Sequence, residues 1–264
     1  MLPLSALPSP WGIGTAGRTA REFIDFLQAG GQAYWQVLPV GPTGYGDSPY
    51  QSFSSYAGNP YYIDLDLLRE DGLLEKEDYQ TIQWGSDPSR TDYGLLYRER
   101  FKVLRKAASR LAEQKPSDFL QFCSEQKDWL EDYALFMALK AHYNGAPWTS
   151  WPDALRRREG EALLEAKEAL ASEIGFRKIL QYLFFKQWAA LKRYANKRQI
   201  EIIGDLPIYV AADSCDVWAN PEQFRLDENL DFSYVAGCPP DGFSETGQLW
   251  GNPLFNWEKM KEDQ

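Results

Sequence analysis

The sequence predicts an α/β fold with parallel strands, interrupted by a long helical stretch. Residues 20–27 place apolar side chains at helical spacing, and two consecutive glycines end that pattern. Residues 33–40 form an almost continuous apolar run, which is typical of a strand buried on both faces. A further apolar run, residues 200–210, comes after the mostly helical pattern of residues 66–198. Strands that alternate with helices in this way favour a parallel sheet.

The remaining elements follow the same patterns. Residues 1–10 are apolar with three prolines, and we interpret them as a short strand that runs into a turn. Residues 94–113 and 118–143 predict amphipathic helices, and the glycine and prolines of residues 144–153 predict a break. Residues 173–198 predict another helix, whose apolar stripe we interpret as core: Phe176, Leu180, Leu183, Phe184, Trp188 and Leu191.

Charge and cysteine content narrow the function classes. The net charge of −10 and the pI near 4.8 disfavour nucleic acid as a partner, because such a surface repels phosphates. No apolar run approaches the ~18–20 residues that span a bilayer, and the amino-terminal residues do not resemble a signal peptide. The three cysteines, Cys123, Cys215 and Cys238, show no C-x-x-C pairing, so we expect a reduced, cytoplasmic protein.

Aromatic residues are unusually frequent, at 15% of a chain whose mean hydropathy is only −0.49. Either a tryptophan-rich core or rings displayed on the surface, where they could stack on sugars, would explain this content, and composition favours neither. Two segments rich in glycine, proline and aromatic residues, 41–62 and 236–256, are interpreted as functional loops. The first follows a predicted strand at its carboxyl end, where parallel α/β folds place their sites.

The residue types limit the available chemistry. His142 is the only histidine and lies at a predicted helix end, so a Ser–His–Asp triad or a histidine-rich zinc site is not expected. No phosphate-binding glycine motif is complete, so neither a cofactor nor a metal is predicted. Carboxylates remain, and glycoside chemistry with retention needs two of them ~5–5.5 Å apart. The sequence alone suggests Asp205, Asp241 and Glu245, whereas Asp213 and Asp216 fit capping or turn roles better.

Four motifs carry a resemblance to a known family. The chain resembles the 4-α-glucanotransferases, also called amylomaltases or disproportionating enzymes, over essentially its whole length. The resemblance implies an α-amylase-related (β/α)₈ barrel with helical insertions. It also implies transfer of α-1,4-glucan segments between maltooligosaccharides through a glucosyl–enzyme intermediate, with retention. The motifs are LPLSALPSPWGIGTAG, YWQVLPVGPTGYGDSPYQSFSSYAGNPYYIDL, GDLPIYVA and GCPPDGFSETGQLWGNPLFNW.

The resemblance also implies which residues bind the glucan. Tyr50 matches a tyrosine that packs on the sugar at the cleavage subsite, and Asp205 matches an aspartate that helps to hold that sugar. Tyr45 matches an aromatic surface residue, and residues 243–250 match a mobile loop over the site. The expected glucan-binding residues are Tyr45, Asp47, Tyr50, Asp205, Phe243, Gln248, Trp250 and Asn252.

The family's catalytic aspartate lies in a motif like R-I-D-H-F-R-G, which this chain lacks, so we expect the nucleophile and the acid/base residue beyond Gln264. Residues 66–198 take 133 of the 264 positions and leave 131, whereas a (β/α)₈ barrel takes about 200 or more. We therefore predict a partial barrel holding only the first strands. Residues 1–65 would supply strands one and two, residues 66–198 a helical insertion, and residues 199–264 strand three with the active-site loop.

We predict that the isolated chain has no transferase activity. Three alternatives remain open at this point: a non-catalytic glucan-binding module, a fragment of an α-amylase-type hydrolase, and an assembly partner complemented by a separate carboxyl-terminal half. Loss of glucan affinity on Tyr50→Ala would support the first, and co-purification with a second half-chain would support the last.

Overall fold

Helices carry most of the chain in a computed structural model that describes residues 1–44, 46–87 and 89–262. The strands are β1 (Tyr34–Gln36), β2 (Glu201–Ile203), β3 (Val235–Cys238) and β4 (Gln248–Pro253). The α-helices are α1 (Arg18–Ala29), α2 (Leu65–Glu70), α3 (Tyr93–Gln114), α4 (Ser117–Glu125), α5 (Lys127–His142), α6 (Asp153–Arg156), α7 (Gly160–Ala169), α8 (Ala171–Lys197), α9 (Cys215–Ala219) and α10 (Trp257–Glu262).

The chain divides into two compact units. The first unit consists of Met1–Val40, Gly58–Leu130 and Gly175–Leu206. The second consists of Gly41–Ala57, Glu131–Ile174 and Pro207–Gln264.

The first unit contains the predicted parallel pairing. Strand β1 pairs with β2 in parallel, with Tyr34 opposite Glu201 and Gln36 opposite Ile203. Most of the helical stretch lies between these two strands in sequence, so the structure has the predicted α/β character with many helices and few strands. Trp35, in the middle of β1, is buried, and its indole N–H donates to the Leu2 carbonyl at 2.8 Å.

Three strand predictions need correction. Residues 1–10 do not form a strand: Leu4–Ala6 is a short 3₁₀ turn, because the flanking prolines fix φ and remove N–H donors. Strand β1 is not buried on both faces, since Tyr34 is 57% exposed and only the Trp35 side packs on α1. Strands β1 and β2 are each three residues long, far shorter than the predicted runs, and proline residues interrupt both runs beyond these strands.

Helix α8 confirms the predicted apolar stripe. Most of the stripe is buried, and Trp188 packs against it from a partly buried position. The same helix carries two buried glutamines whose amides pair with backbone segments of the first unit. Gln181 accepts from the N–H of Gly58 at 2.7 Å and donates to its carbonyl at 3.0 Å. Gln187 does the same for Asp64, at 2.7 and 3.1 Å.

In the second unit, the predicted break at residues 144–153 is confirmed, and its tryptophans are core residues. Trp148 and Trp151 are buried, and Trp151 packs edge-on against Trp218 with ring centroids 5.7 Å apart. The indole N–H of Trp218 donates to the Leu155 carbonyl at 2.9 Å. Part of the high aromatic content therefore lies in the core, which agrees with the interpretation of a tryptophan-rich core.

The segment 236–256 is not an irregular loop throughout, which corrects the sequence prediction. Strands β3 and β4 pair antiparallel, with Gly237 opposite Leu249 and Cys238 opposite Gln248. A side chain at Gly237 would place its Cβ 2.6 Å from the Gln248 carbonyl oxygen, so the close pairing requires glycine there. No helix in the described residues is long and apolar enough to cross a bilayer.

Candidate functional site

Residues 42–44 and 46–57 of the second unit form a short hairpin, which we call the aromatic hairpin. Thr43 and Ser52 form an antiparallel bridge. The N–H of Gly44 donates to the Gln51 carbonyl at 3.0 Å, and the N–H of Phe53 donates to the Pro42 carbonyl at 3.3 Å. These bonds give the segment 46–50 a defined base, so the predicted loop is ordered by its own backbone.

The tip of the aromatic hairpin carries two predicted glucan-binding residues. Tyr50 is 43% exposed, and its backbone N–H donates to the Ser48 hydroxyl at 3.3 Å. Asp47 adopts a left-handed conformation with φ 55°, and burial raises the pKa of its carboxyl above the ordinary value. Tyr45, also predicted, lies outside the described residues. An exposed ring beside a carboxyl suits a ligand with both C–H faces and hydroxyl groups.

The loop of residues 239–247 between β3 and β4 displays Phe243, which is 98% exposed. The carboxylate of Asp241 accepts from the N–H groups of Phe243 and Ser244 at 2.8 and 2.9 Å. Ser244 in turn donates to the Gly247 carbonyl at 2.7 Å. Asp241 thus stabilises a turn, as aspartates commonly do. The sequence had suggested it as a candidate carboxylate for glycoside chemistry.

Strand β4 brings two predicted residues into contact. The indole N–H of Trp250 donates to the Gln248 side-chain oxygen at 2.9 Å, and the Trp250 ring is 47% exposed. Its other side approaches the Tyr209 ring, with centroids 6.4 Å apart. Asn252 differs, because it is only 8% exposed and its amide donates to the Val210 carbonyl at 2.8 Å. In this structure Asn252 fastens β4 to the 207–211 segment.

Asp205 belongs to the first unit, where it lies half-buried two residues beyond β2. That position, just past the carboxyl end of a parallel strand, is the one from which α/β folds present site residues. The seven predicted residues that the structure describes therefore divide between the units, with Asp205 in the first and the other six in the second.

The second unit also contains an ion pair that the sequence did not predict. Lys140, near the end of α5, donates to the Asp213 carboxylate at 2.6 Å and to the carbonyls of Gly145 and Ala146. Its side chain is 6% exposed. The other oxygen of Asp213 accepts from the N–H of Trp148 at 3.1 Å. Asp213 therefore holds the break after α5 and does not cap α9, a role that belongs to Ser214.

Asp216 is the second residue whose role the sequence missed. Burial raises the pKa of its carboxyl, and hydrogen bonds from Ser55 oppose that shift. The partner lies 161 positions earlier in the chain, so no local pattern could have indicated it. A lysine in the apolar run that ends α5 was the one visible sign of a buried charge in this region.

Other chemistry is limited in the described part of the chain. His142 is exposed and ends α5, as predicted, with its ring edge against Tyr143. Among residues 1–44, 46–87 and 89–262, no three histidine, cysteine or acidic side chains gather as metal ligands would. No disulfide links any of the three cysteines to another in the described part of the chain.

The fold and these surfaces define a helix-rich α/β protein that displays aromatic rings beside amide and acidic groups. A family model described as 4-alpha-glucanotransferase matches residues 2–264. The chain belongs to the 4-alpha-glucanotransferase family.

Relatives agree with this assignment. The chain is 52% identical to a 4-alpha-glucanotransferase of Clostridium butyricum over 98% of its length, covering 53% of that protein. It is also 52% identical to one from Thermus thermophilus, covering all of this chain and 52% of that protein. An amylomaltase from Streptococcus agalactiae, solved in complex with acarbose, superposes with a TM-score of 0.97 at 46% identity, over 99% of this chain and 53% of that one. The chain spans about half the length of these relatives.

Proposed function

We propose that this chain is the glucan-binding portion of a 4-α-glucanotransferase that moves α-1,4-glucan segments between maltooligosaccharides with retention. The observation that carries the proposal is the display of Tyr50, Phe243 and Trp250 on ordered backbone beside polar groups. Aromatic faces and hydrogen-bonding groups together suit a polyhydroxylated ligand. The Streptococcus agalactiae relative, solved with acarbose, supports a carbohydrate as the ligand class.

Each predicted residue has a role in this proposal. Tyr50 packs against a sugar ring, and Asp47 accepts hydrogen bonds from glucan hydroxyl groups. Asp205, in the first unit, has a carboxylate that can accept such bonds as well. Phe243 and Trp250 offer flat faces to the sugars on the acceptor side, and Gln248 orients the Trp250 ring through their hydrogen bond. For Tyr45 a glucan contact rests on the resemblance alone. Asn252 contributes by fixing β4, in line with its bond to Val210.

The two carboxylates that retention requires would come from polypeptide equivalent to the other half of the relatives. We propose that strands β1 and β2 are the first part of a (β/α)₈ barrel that this second half completes. In the described residues β2 pairs only with β1, so its outer edge is open. Ile203 and Leu206 beside that edge are 45% and 76% exposed. An open parallel edge with exposed apolar residues favours pairing with another strand.

A cytoplasmic location fits the same proposal. The described residues contain no disulfide, and disulfides are rare in reducing compartments.

A disproportionation assay tests the proposed function. The chain is incubated with maltotriose, alone and with a polypeptide corresponding to the second half of the Clostridium butyricum relative, and glucose and longer dextrins are measured. We expect no products from the chain alone and both products from the mixture. Glucose without longer dextrins from the mixture would favour a hydrolase instead. Binding without any turnover in either sample would favour a glucan-binding module.

A further inference from the structure

The base of the aromatic hairpin is fastened to the start of α9 by two hydrogen bonds. The N–H of Ser55 donates to the Asp216 carboxylate, at 2.9 Å to Oδ2 and 3.3 Å to Oδ1. The N–H of Cys215 donates to the Phe53 carbonyl at 2.8 Å. The two bonds run in opposite directions between the same two segments, so they fix both the position and the direction of the strand that leaves Tyr50.

Asp216 itself is held by its own helix. The hydroxyl of Ser214 caps α9 by accepting from the Val217 N–H, and Val217 and Trp218 are fully buried. The carboxylate is therefore attached to a rigid, well-packed element, whereas Ser55 lies in a segment rich in serine and glycine. A rigid acceptor that bonds a backbone N–H with a charged oxygen gives one of the stronger hydrogen bonds available.

Phe53, on the hairpin side of this fastening, is held by its ring as well. Its ring lies 6.4 Å from the Phe136 ring and 5.3 Å from the Lys140 ammonium. The Lys140–Asp213 ion pair keeps that ammonium in place. The base of the hairpin is thus packed on one side and hydrogen-bonded on the other, while the tip with Tyr50 remains exposed.

We propose that Asp216 is a positioning residue for glucan binding, which holds the aromatic hairpin so that Tyr50 meets the sugar. Asp216 acts through the hairpin and touches no sugar itself. This inference rests on the proposed function, because it assumes that Tyr50 contacts glucan. One part of the inference does not depend on that assumption. Without the Asp216 carboxylate, Ser55 loses its acceptor and the hairpin tip moves more freely.

Two variants of Asp216 and one matched control separate a role in positioning the hairpin from a role in folding the chain. Asp216→Ala removes the acceptor, whereas Asp216→Asn keeps an oxygen for the Ser55 N–H and adds an amide donor for its hydroxyl. The control is Asp227→Ala, which removes a carboxylate of the same unit that accepts from the N–H groups of Asn229 and Asp231. Maltoheptaose affinity is measured by titration calorimetry, and amide hydrogen exchange is measured across the hairpin.

We expect Asp216→Ala to weaken maltoheptaose binding about tenfold and to speed exchange at residues 46–57 by a similar factor. Asp216→Asn should restore both to within about threefold of the wild type, and Asp227→Ala should change neither. Equal binding by Asp216→Ala and the wild type would overturn the inference, as would equal weakening by Asp227→Ala.

A failure of the proposed function can be distinguished from a failure of the inference about Asp216. If the wild-type chain binds no maltoheptaose, the proposed function is wrong, and the exchange rates alone decide whether Asp216 orders the hairpin. If Asp216→Ala does not fold, the wild-type exchange of the Ser55 amide decides. Slow exchange of this amide in both the wild type and Asp216→Asn supports the inference. Fast exchange of this amide in the wild type contradicts it.

Discussion

At position 58 the backbone leaves no room for a side chain. A Cβ built on Gly58 would lie 1.9 Å from the Phe184 ring, which is itself fully buried in the core. The Gly58 N–H and carbonyl are also bonded to Gln181, so the backbone cannot move away without losing those bonds. Glycine is required here because the Phe184 ring lies so close to the backbone, and not because of an unusual backbone angle.

We expect Gly58→Ala to lower the free energy of unfolding by about 2–3 kcal/mol, because the ring of Phe184 must shift within a packed core. Urea unfolding monitored by circular dichroism measures this change. Gly175→Ala is the matched control, since that glycine lies in α8 with nothing within 4 Å of its Cβ. The control should be neutral or should stabilise by up to about 1 kcal/mol. Similar losses in both variants would contradict the steric account.

Asp78 links stability to acid pH. Burial opposes its ionisation, but the Glu75 N–H and the side chains of Arg110 and Lys106 outweigh burial and lower the pKa to about 2. Arg110 donates to this carboxylate at 2.7 Å, and the side chain of Asp78 is 12% exposed. Because the folded pKa lies below the unfolded value of 3.8, the stabilisation is present above pH 3.8 and is lost as pH falls through 2.

We expect Asp78→Asn to cost on the order of 1–2 kcal/mol at neutral pH, a range that allows for solvent screening at the partners. The difference in unfolding free energy between wild type and variant should shrink between pH 4 and pH 2. Unfolding curves at a series of pH values measure it. A difference that stays constant down to pH 2 would show that Asp78 contributes no ionisation-linked stability.

At the scale of single residues, the sequence indicated which side chains are exposed better than it indicated their hydrogen-bond partners. Tyr50 and Phe243 are displayed, as the polar-aromatic segments suggested, and His142 lies at a helix end. Asp213 and Asp216 were interpreted as turn or capping residues, and both have long-range partners instead. Their partners are separated from them by 73 and 161 positions, and single-residue propensity carries no information over such distances.

At the scale of elements, α8 is the helix that organises the first unit. Gln181 and Gln187 lie six residues apart, and so do their backbone partners Gly58 and Asp64. Two amides on one helix thus hold both ends of the segment 58–64, which contains the 3₁₀ turn Pro60–Tyr62. Each satisfies one buried N–H and one buried carbonyl that would otherwise be without partners.

We expect Gln181→Leu to destabilise the chain by about 2–3 kcal/mol, because it leaves the N–H and carbonyl of Gly58 unsatisfied in the core. Gln121→Leu on α4 is the control, since Gln121 is exposed and its amide donates to the side chain of Glu125 on the surface of the same helix. Thermal unfolding compares the two. Equal midpoints would contradict the role of the paired bonds.

Helices could be predicted from sequence because their signals are local. The apolar stripe of α8 and the prolines at 116 and 147 lie within the segments that they shape. Strands were predicted too long, since apolar runs do not show where a neighbouring strand ends. Strand β4 was missed because its residues, Gln248–Pro253, include glycine and proline and lack β-branched side chains.

At the scale of the whole molecule, family membership and coverage lead to one expectation. The chain matches the 4-alpha-glucanotransferase family over residues 2–264 and spans about half of its relatives. Under the proposed function, its exposed rings form a sugar-binding surface, and we expect the catalytic carboxylates on the part of the relatives that this chain does not match. The resemblance in sequence motifs was needed for this step, because composition alone left core and surface rings equally plausible.

Titration of the chain with maltoheptaose tests this claim most directly. We predict saturable binding that Tyr50→Ala weakens at least about tenfold, the loss of one stacked aromatic ring against a sugar. Tyr97→Ala is the matched control, because Tyr97 is a 70% exposed tyrosine on α3, outside the proposed site, and this variant should bind like the wild type. Absence of binding by the wild-type chain, or equal losses in both variants, would contradict the account.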